Sequence, residues 1–166
     1  GSIQDETINI PEWIIKYNRD KFLPLIQKFN NNKKIFLDRS SSAYTHCQIE
    51  NNDEIIDMLT KKGFTSYRVE ELSIEEQIYL FNEASIIVGA HGAAFTNIIF
   101  CKPETKIIEI IPESHPSKKC QRISKILKLR YKRITTTETN KDKNFPFNIL
   151  LNKKNLNEIE NIIDLN

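Results

Sequence analysis

A chain of 166 residues can bury one ordinary hydrophobic core, since domains of about 100 to 200 residues fold alone. With 39% hydrophobic and 28% charged residues, and 24 basic against 22 acidic, it is neither an intrinsically disordered segment nor a polyelectrolyte built for nucleic acid. No apolar run approaches the roughly 20 residues of a membrane-spanning helix, and the three cysteines, Cys47, Cys101 and Cys120, are too widely spaced for a zinc or redox pair and read as reduced thiols.

Gly1-Ser2 reads as a tag remnant, so residues 1–10 are expected to be an extension and residues 11–166 a single domain. Pro11 opens a helical stretch, Glu12 to Phe29, with a kink expected near Pro24. The short apolar run Ile35-Phe36-Leu37 fits a strand buried on both faces, and Arg39 follows at its carboxyl end. Asn51 or Asn52 caps a second helix that ends at Lys61, Lys62 and the stop residue Gly63, with Ile55, Ile56 and Leu59 inside. Ser66 to Val69 predicts a strand. Ser73-Ile74-Glu75-Glu76 is a capping box, and Ile74, Ile78 and Phe81 carry its helix to Ala84.

Ser85 to Val88 and Lys106 to Ile111 are β-branched runs of the kind that form central strands, and Gly92 to Phe100 between them has helix length. A helix near Pro116 through Leu127, a fifth strand from Tyr131 to Thr136, a polar loop from Thr139 to Asn144 and an amphipathic helix carrying Leu156, Ile159 and Ile163 complete the chain. This alternation predicts an α/β domain with a mainly parallel sheet of at least five strands, helices on both faces, and Ile35–Leu37, Ser85–Val88 and Ile107–Ile111 in the middle.

In such a sheet ligands bind beyond the carboxyl ends of the strands. That rule selects Arg39, Glu70, Glu71, the run Gly89 to Asn97, and Glu109 with Pro112 and Glu113. Gly89, Ala90, Gly92, Ala93 and Ala94 at a strand-to-helix turn let a ligand approach the backbone, where helix-start amides favour phosphate; the same small residues also permit close packing of helix on sheet. His91 sits between the glycines as a structural histidine or a ligand contact. Arg39 could clamp a diphosphate or form a surface ion pair. Glu109, inside an apolar run, either faces a sheet edge or serves a ligand hydroxyl, and the second is favoured. No zinc-spaced histidine pair, Gly-x-Ser-x-Gly elbow or acidic cluster for a divalent cation is present, so no metal or other cofactor is expected.

Three stretches taken together, Glu70 to Phe81, Ala84-Ser85-Ile86-Ile87-Val88-Gly89-Ala90-His91-Gly92-Ala93-Ala94-Phe95-Thr96-Asn97 and Ile107-Ile108-Glu109-Ile110, closely resemble the C-terminal half of glycosyltransferase family 61. The resemblance runs from about Lys34 to Ile134 and includes Asn51 and Gly63-Phe64. It implies one Rossmann-like half of a GT-B fold and an inverting, metal-independent transfer of sugar from a nucleotide diphosphate to a glycan or protein acceptor. Diphosphate contacts then fall to Arg39, His91, Gly92, Ala93, Ala94, Thr96 and Asn97, with Glu109 on ribose or base.

Two departures stand out. The family's arginine before the residue matched to Asn51 is missing from Thr45-His46-Cys47-Gln48-Ile49-Glu50-Asn51, where His46 could replace it in part. The chain is also short for a whole enzyme, which leaves the general base and acceptor contacts to a second half-domain or a dimer partner. A binding module of the same fold that transfers nothing is the rival expectation, and an unrelated doubly wound domain for another phosphorylated ligand a third. With no Asn-x-Ser/Thr sequon and no membrane-spanning run, a cytoplasmic location is expected, without a nucleic-acid partner.

Overall fold

The computed structural model describes residues 10–27, 32–40, 47–139 and 148–165. Five strands, β1 (Lys33–Leu37), β2 (Thr65–Tyr67), β3 (Ala84–Ala90), β4 (Lys106–Pro112) and β5 (Arg130–Thr136), form one sheet in the order β2-β1-β3-β4-β5. Every neighbouring pair is parallel. The three runs expected in the middle are the three inner strands, and all seven residues of β4 are buried, as a strand covered on both faces requires.

Side chains alternate across the sheet and divide the core in two. Ile35, Leu37, Ile87 and Ile107 pack on one face with Ile15 of α1 (Glu12–Phe22), Ile78 and Phe81 of α3 (Ile74–Glu83), and Ile123 of α4 (Lys119–Leu127). Phe36, Val88, Ile108, Ile110 and Ile134 face the other way, against Ile55 and Leu59 of α2 (Asn52–Lys61) and Ile159 and Ile163 of α5 (Lys153–Asp164). Burial of each such side chain contributes about 1.5–3 kcal/mol, so both helical layers hold the sheet.

Local chemistry sets the helix ends. Ser73 Oγ accepts from Glu76 N at 3.2 Å and Glu76 Oε2 accepts from Ser73 N at 2.7 Å, completing the capping box. α2 ends with Gly63 at φ +82°, a left-handed position, while Gly63 N bonds Thr60 O and Phe64 N bonds Leu59 O in the paired pattern of a Schellman stop.

Four elements differ from expectation. The first helix ends at Phe22, because Pro24 belongs to a 3-10 turn, Leu23–Leu25, which a residue without an N–H can enter only near its start. β2 stops at Tyr67, and Val69 begins a second 3-10 turn, Val69–Glu71. The segment after β3 is a 3-10 helix, Ala93–Phe100, rather than an α-helix. α4 begins only at Lys119, since Arg133 holds the preceding turn through His115 O and Ser117 O, each at 2.9 Å. Most of the loop expected over residues 139–144 lies outside the described residues.

Candidate functional site

β1 connects outward to β2 on one side, whereas β3 connects to β4 on the other, so the sheet reverses direction between β1 and β3. Ligands of open parallel sheets occupy the crevice at such a reversal. Leu37 is in register with Gly89, and the chain therefore leaves the two strands side by side as Asp38-Arg39 and Ala90-His91.

Arg39 reaches across this gap and donates from Nη1 to the His91 carbonyl at 3.0 Å. Its guanidinium lies over Gly92, where a Cβ would stand 1.2 Å from Nη1. Gly92 has φ 171°, an extended conformation open to any residue, so the glycine is required by the closeness of Arg39 and not by backbone strain. Burial lowers the Arg39 pKa from its ordinary value, the sign of a cation partly stripped of water. Beyond Gly92 the 3-10 helix begins, and the first amides of a helix lack intrahelical acceptors. Ala93 and Thr96 are exposed and Ala94 half-buried on this side. Thr96 Oγ1 accepts from Lys119 Nζ at 3.0 Å, which brings a second cation to the rim. Asn97, expected at a diphosphate, instead donates its amide to Gln77 Oε1 on α3 at 2.9 Å and ties the turn to that helix.

Behind the turn lies a buried polar cluster. His91 Nδ1 is 2.6 Å from Glu109 Oε1, and the Tyr131 hydroxyl donates to Glu109 Oε2 at 2.6 Å. Glu109, expected at ribose or base, is only 2% exposed, and both of its oxygens are engaged by the protein's own groups. Burial alone would raise its pKa, but hydrogen bonds from His91 and Tyr131 outweigh burial and hold it below the usual carboxylate value. Cys120 Sγ lies in the same cluster, within 4.8 Å of the His91 and Glu109 ligand atoms. Burial drives the Cys120 pKa well above the ordinary thiol value.

One remaining candidate, Asn51, falls elsewhere. Asn51 binds the backbone of Leu151 from both ends of its amide, Nδ2 to O at 2.9 Å and Oδ1 from N at 3.0 Å, and thereby fastens the segment before α5 instead of facing the crevice. His46 lies outside the described residues. The structure adds residues that the sequence did not single out. Asp38, 8% exposed, receives Ser40 N at 2.9 Å and Asn52 Nδ2 at 3.0 Å and faces Arg68 at 3.6 Å, which shapes the loop bearing Arg39. His115 packs against His91 in a tilted ring contact, with centroids 4.3 Å apart and planes at 52°. Its place a few residues after β4 was the available signal, but a lone histidine in a polar stretch carries little weight.

An all-parallel, doubly wound sheet with arginine, glycine and histidine gathered at its reversal point defines an α/β domain of the Rossmann-like class. The family profile described as Glycosyltransferase 61 matches residues 8–108, more than half of the 166. The chain belongs to glycosyltransferase family 61, as its three motif stretches imply. It is similar to "Beta-1,2-xylosyltransferase RCN11" of Oryza sativa subsp. japonica, 42% identical over 40 residues that cover 24% of this chain and 8% of that protein. It is also similar to "Beta-1,2-xylosyltransferase" of Arabidopsis thaliana, 40% identical over 55 residues, 32% of this chain and 10% of that protein. The matched stretches thus span a tenth or less of these relatives. Among the described residues no helix is long and apolar enough to cross a membrane.

Proposed function

We propose that this domain is the donor-binding half of a GT-B-type glycosyltransferase and holds a nucleotide-diphosphate sugar at the crevice between β1 and β3. The observation that carries the reading is the Arg39 guanidinium seated over Gly92 and fixed to the His91 carbonyl at 3.0 Å, beside a helix start. A guanidinium held in place gives bidentate hydrogen bonds to a phosphate, and amides at a helix start add a second set of donors. Lys119 stands at the rim to offset further charge. Stabilising the departing diphosphate in this way needs no metal, and an inverting transfer to a glycan or protein acceptor would take its base from a facing half-domain or a second copy. The similarity to plant xylosyltransferases supports a pentosyl or hexosyl donor.

A second reading, a module that binds nucleotide or a partner and transfers nothing, is favoured by one observation. The Glu109 carboxylate, the most deeply buried acid of the crevice wall, is engaged internally and not offered to a substrate. Calorimetry with a panel of nucleoside diphosphates, with and without chelator, tests the common part. Chelator-insensitive binding that Arg39→Ala weakens by about 1.5 to 3 kcal/mol is the expected result. Absence of binding by the whole panel would overturn it. Incubation with donor sugars and a broad acceptor mixture adds one decisive outcome: transfer by this chain overturns the second reading, whereas binding without transfer fits both, because an open half-site neither orients the acceptor nor excludes water.

A further inference from the structure

Outside the residues that would touch a ligand, one arrangement has a chemical consequence. Glu109 sits on β4 in register with Arg133 of β5, Tyr131 lies two residues before that partner, opposite Ile107, and Cys120 comes from the first turn of α4. All three side chains converge on the face where His91 leaves β3. A buried carboxylate accepts through two oxygens, and which oxygen faces the imidazole depends on what holds the other. Here the Tyr131 hydroxyl occupies Oε2 at 2.6 Å and the carboxylate is thereby fixed with Oε1 toward His91 Nδ1, also at 2.6 Å. Cys120 Sγ lies beside the same carboxylate, within 4.8 Å.

We propose that Tyr131 is a positioning residue: by holding Glu109 it fixes His91 with its proton on Nδ1, and through His91 it sets the carbonyl on which Arg39 rests. The link is short. His91 N donates to Ile110 O at 2.8 Å and His91 O receives Arg39 at 3.0 Å, so the residue whose ring Glu109 holds also supplies, through its backbone, the seat of the guanidinium. An ionised partner on a histidine nitrogen selects the tautomer at the other nitrogen, which is how such side chains are prepared for a task. Tyr131 is half-buried, so its hydroxyl can be deleted while the ring stays packed.

The test uses the 166-residue chain labelled at its three histidines, with His91 assigned by its loss in His91→Gln. In the unaltered protein, nitrogen NMR should show neutral His91 as the Nδ1–H tautomer. Tyr131→Phe should give a mixture of tautomers and weaken nucleoside diphosphate binding by roughly three- to tenfold, the size expected for coupling through one intermediate group. Cys120→Ser, which keeps a donor, should leave the tautomer in place. A Tyr131→Phe protein with wild-type tautomer overturns the proposal, whether or not its melting temperature falls. The affinity arm rests on the nucleotide reading above, and the unaltered protein separates the two: if it binds no nucleoside diphosphate, the crevice reading fails, while the tautomer still decides the role of Tyr131.

Discussion

A methyl group on Gly92 would lie 1.2 Å from Arg39 Nη1 and 2.5 Å from its Cζ, so the presence of the one residue depends on the position of the other. The obstructing atoms belong to the far end of a flexible side chain, and the φ of 171° suits any residue. Gly92→Ala should therefore fold with a stability loss of about 1 kcal/mol or less, while Arg39 is displaced from its seat. Nucleoside diphosphate affinity should fall by an amount close to that of Arg39→Ala, and the double variant should be no worse than either single one. Calorimetric titration of the three variants checks this, and additive losses would show that the two residues act independently.

Glu109 gives a pH dependence with a defined sign. Its folded pKa is lowered, after burial's opposing effect, by His91 and Tyr131, whereas an unfolded glutamate titrates near about 4.3. The stabilisation is thus fully present above that value and is lost as pH falls through the lowered folded pKa. Thermal unfolding between about pH 6 and 3 should show the parent chain losing stability that Glu109→Gln does not, because glutamine carries no titrating proton there. At neutral pH the same variant should be less stable by about 1 to 3 kcal/mol, the range for a buried hydrogen bond to a charged group. Parallel curves for the two proteins would remove Glu109 from the acid limb.

Asn51 tests the separation of structure from binding. Its amide satisfies both the N–H and the carbonyl of Leu151, and Leu151 is itself buried. Asn51→Ala should lower stability by about 1 to 3 kcal/mol by leaving those groups without it, and should leave nucleoside diphosphate affinity unchanged. Chemical denaturation paired with titration measures both. A selective loss of affinity would return Asn51 to the crevice.

Gly63 provides a control remote from the site. At φ +82° an added Cβ meets no neighbour within 4 Å, so the cost of Gly63→Ala is purely one of backbone conformation, about 1 kcal/mol. A denaturant midpoint shift without change in slope is the expected result.

The three runs that form the middle of the sheet, the capping box at Ser73 and the stop at Gly63 were legible in the sequence because each depends on near neighbours along the chain. Continuous β-branched runs mark strands covered on both faces, and cap residues act within a few positions of themselves. The motif stretches identify the family for the same reason: they are contiguous, and the profile match over residues 8–108 agrees. What only the tertiary structure decided is where side chains distant in sequence meet. Glu109 in an apolar run reads as a sheet-edge residue or, preferably, a ligand contact, and its bond to Tyr131, 22 residues away on β5, is not visible from that run. Asn51 becomes a fastener of Leu151 through contacts 100 residues apart, and Gly92 is needed because Arg39, on another strand's end, lies over it. Periodicity reports which face of an element is buried, whereas the partner of a buried polar group is set by the register and packing of separate elements, and that information is not carried by any one stretch of chain.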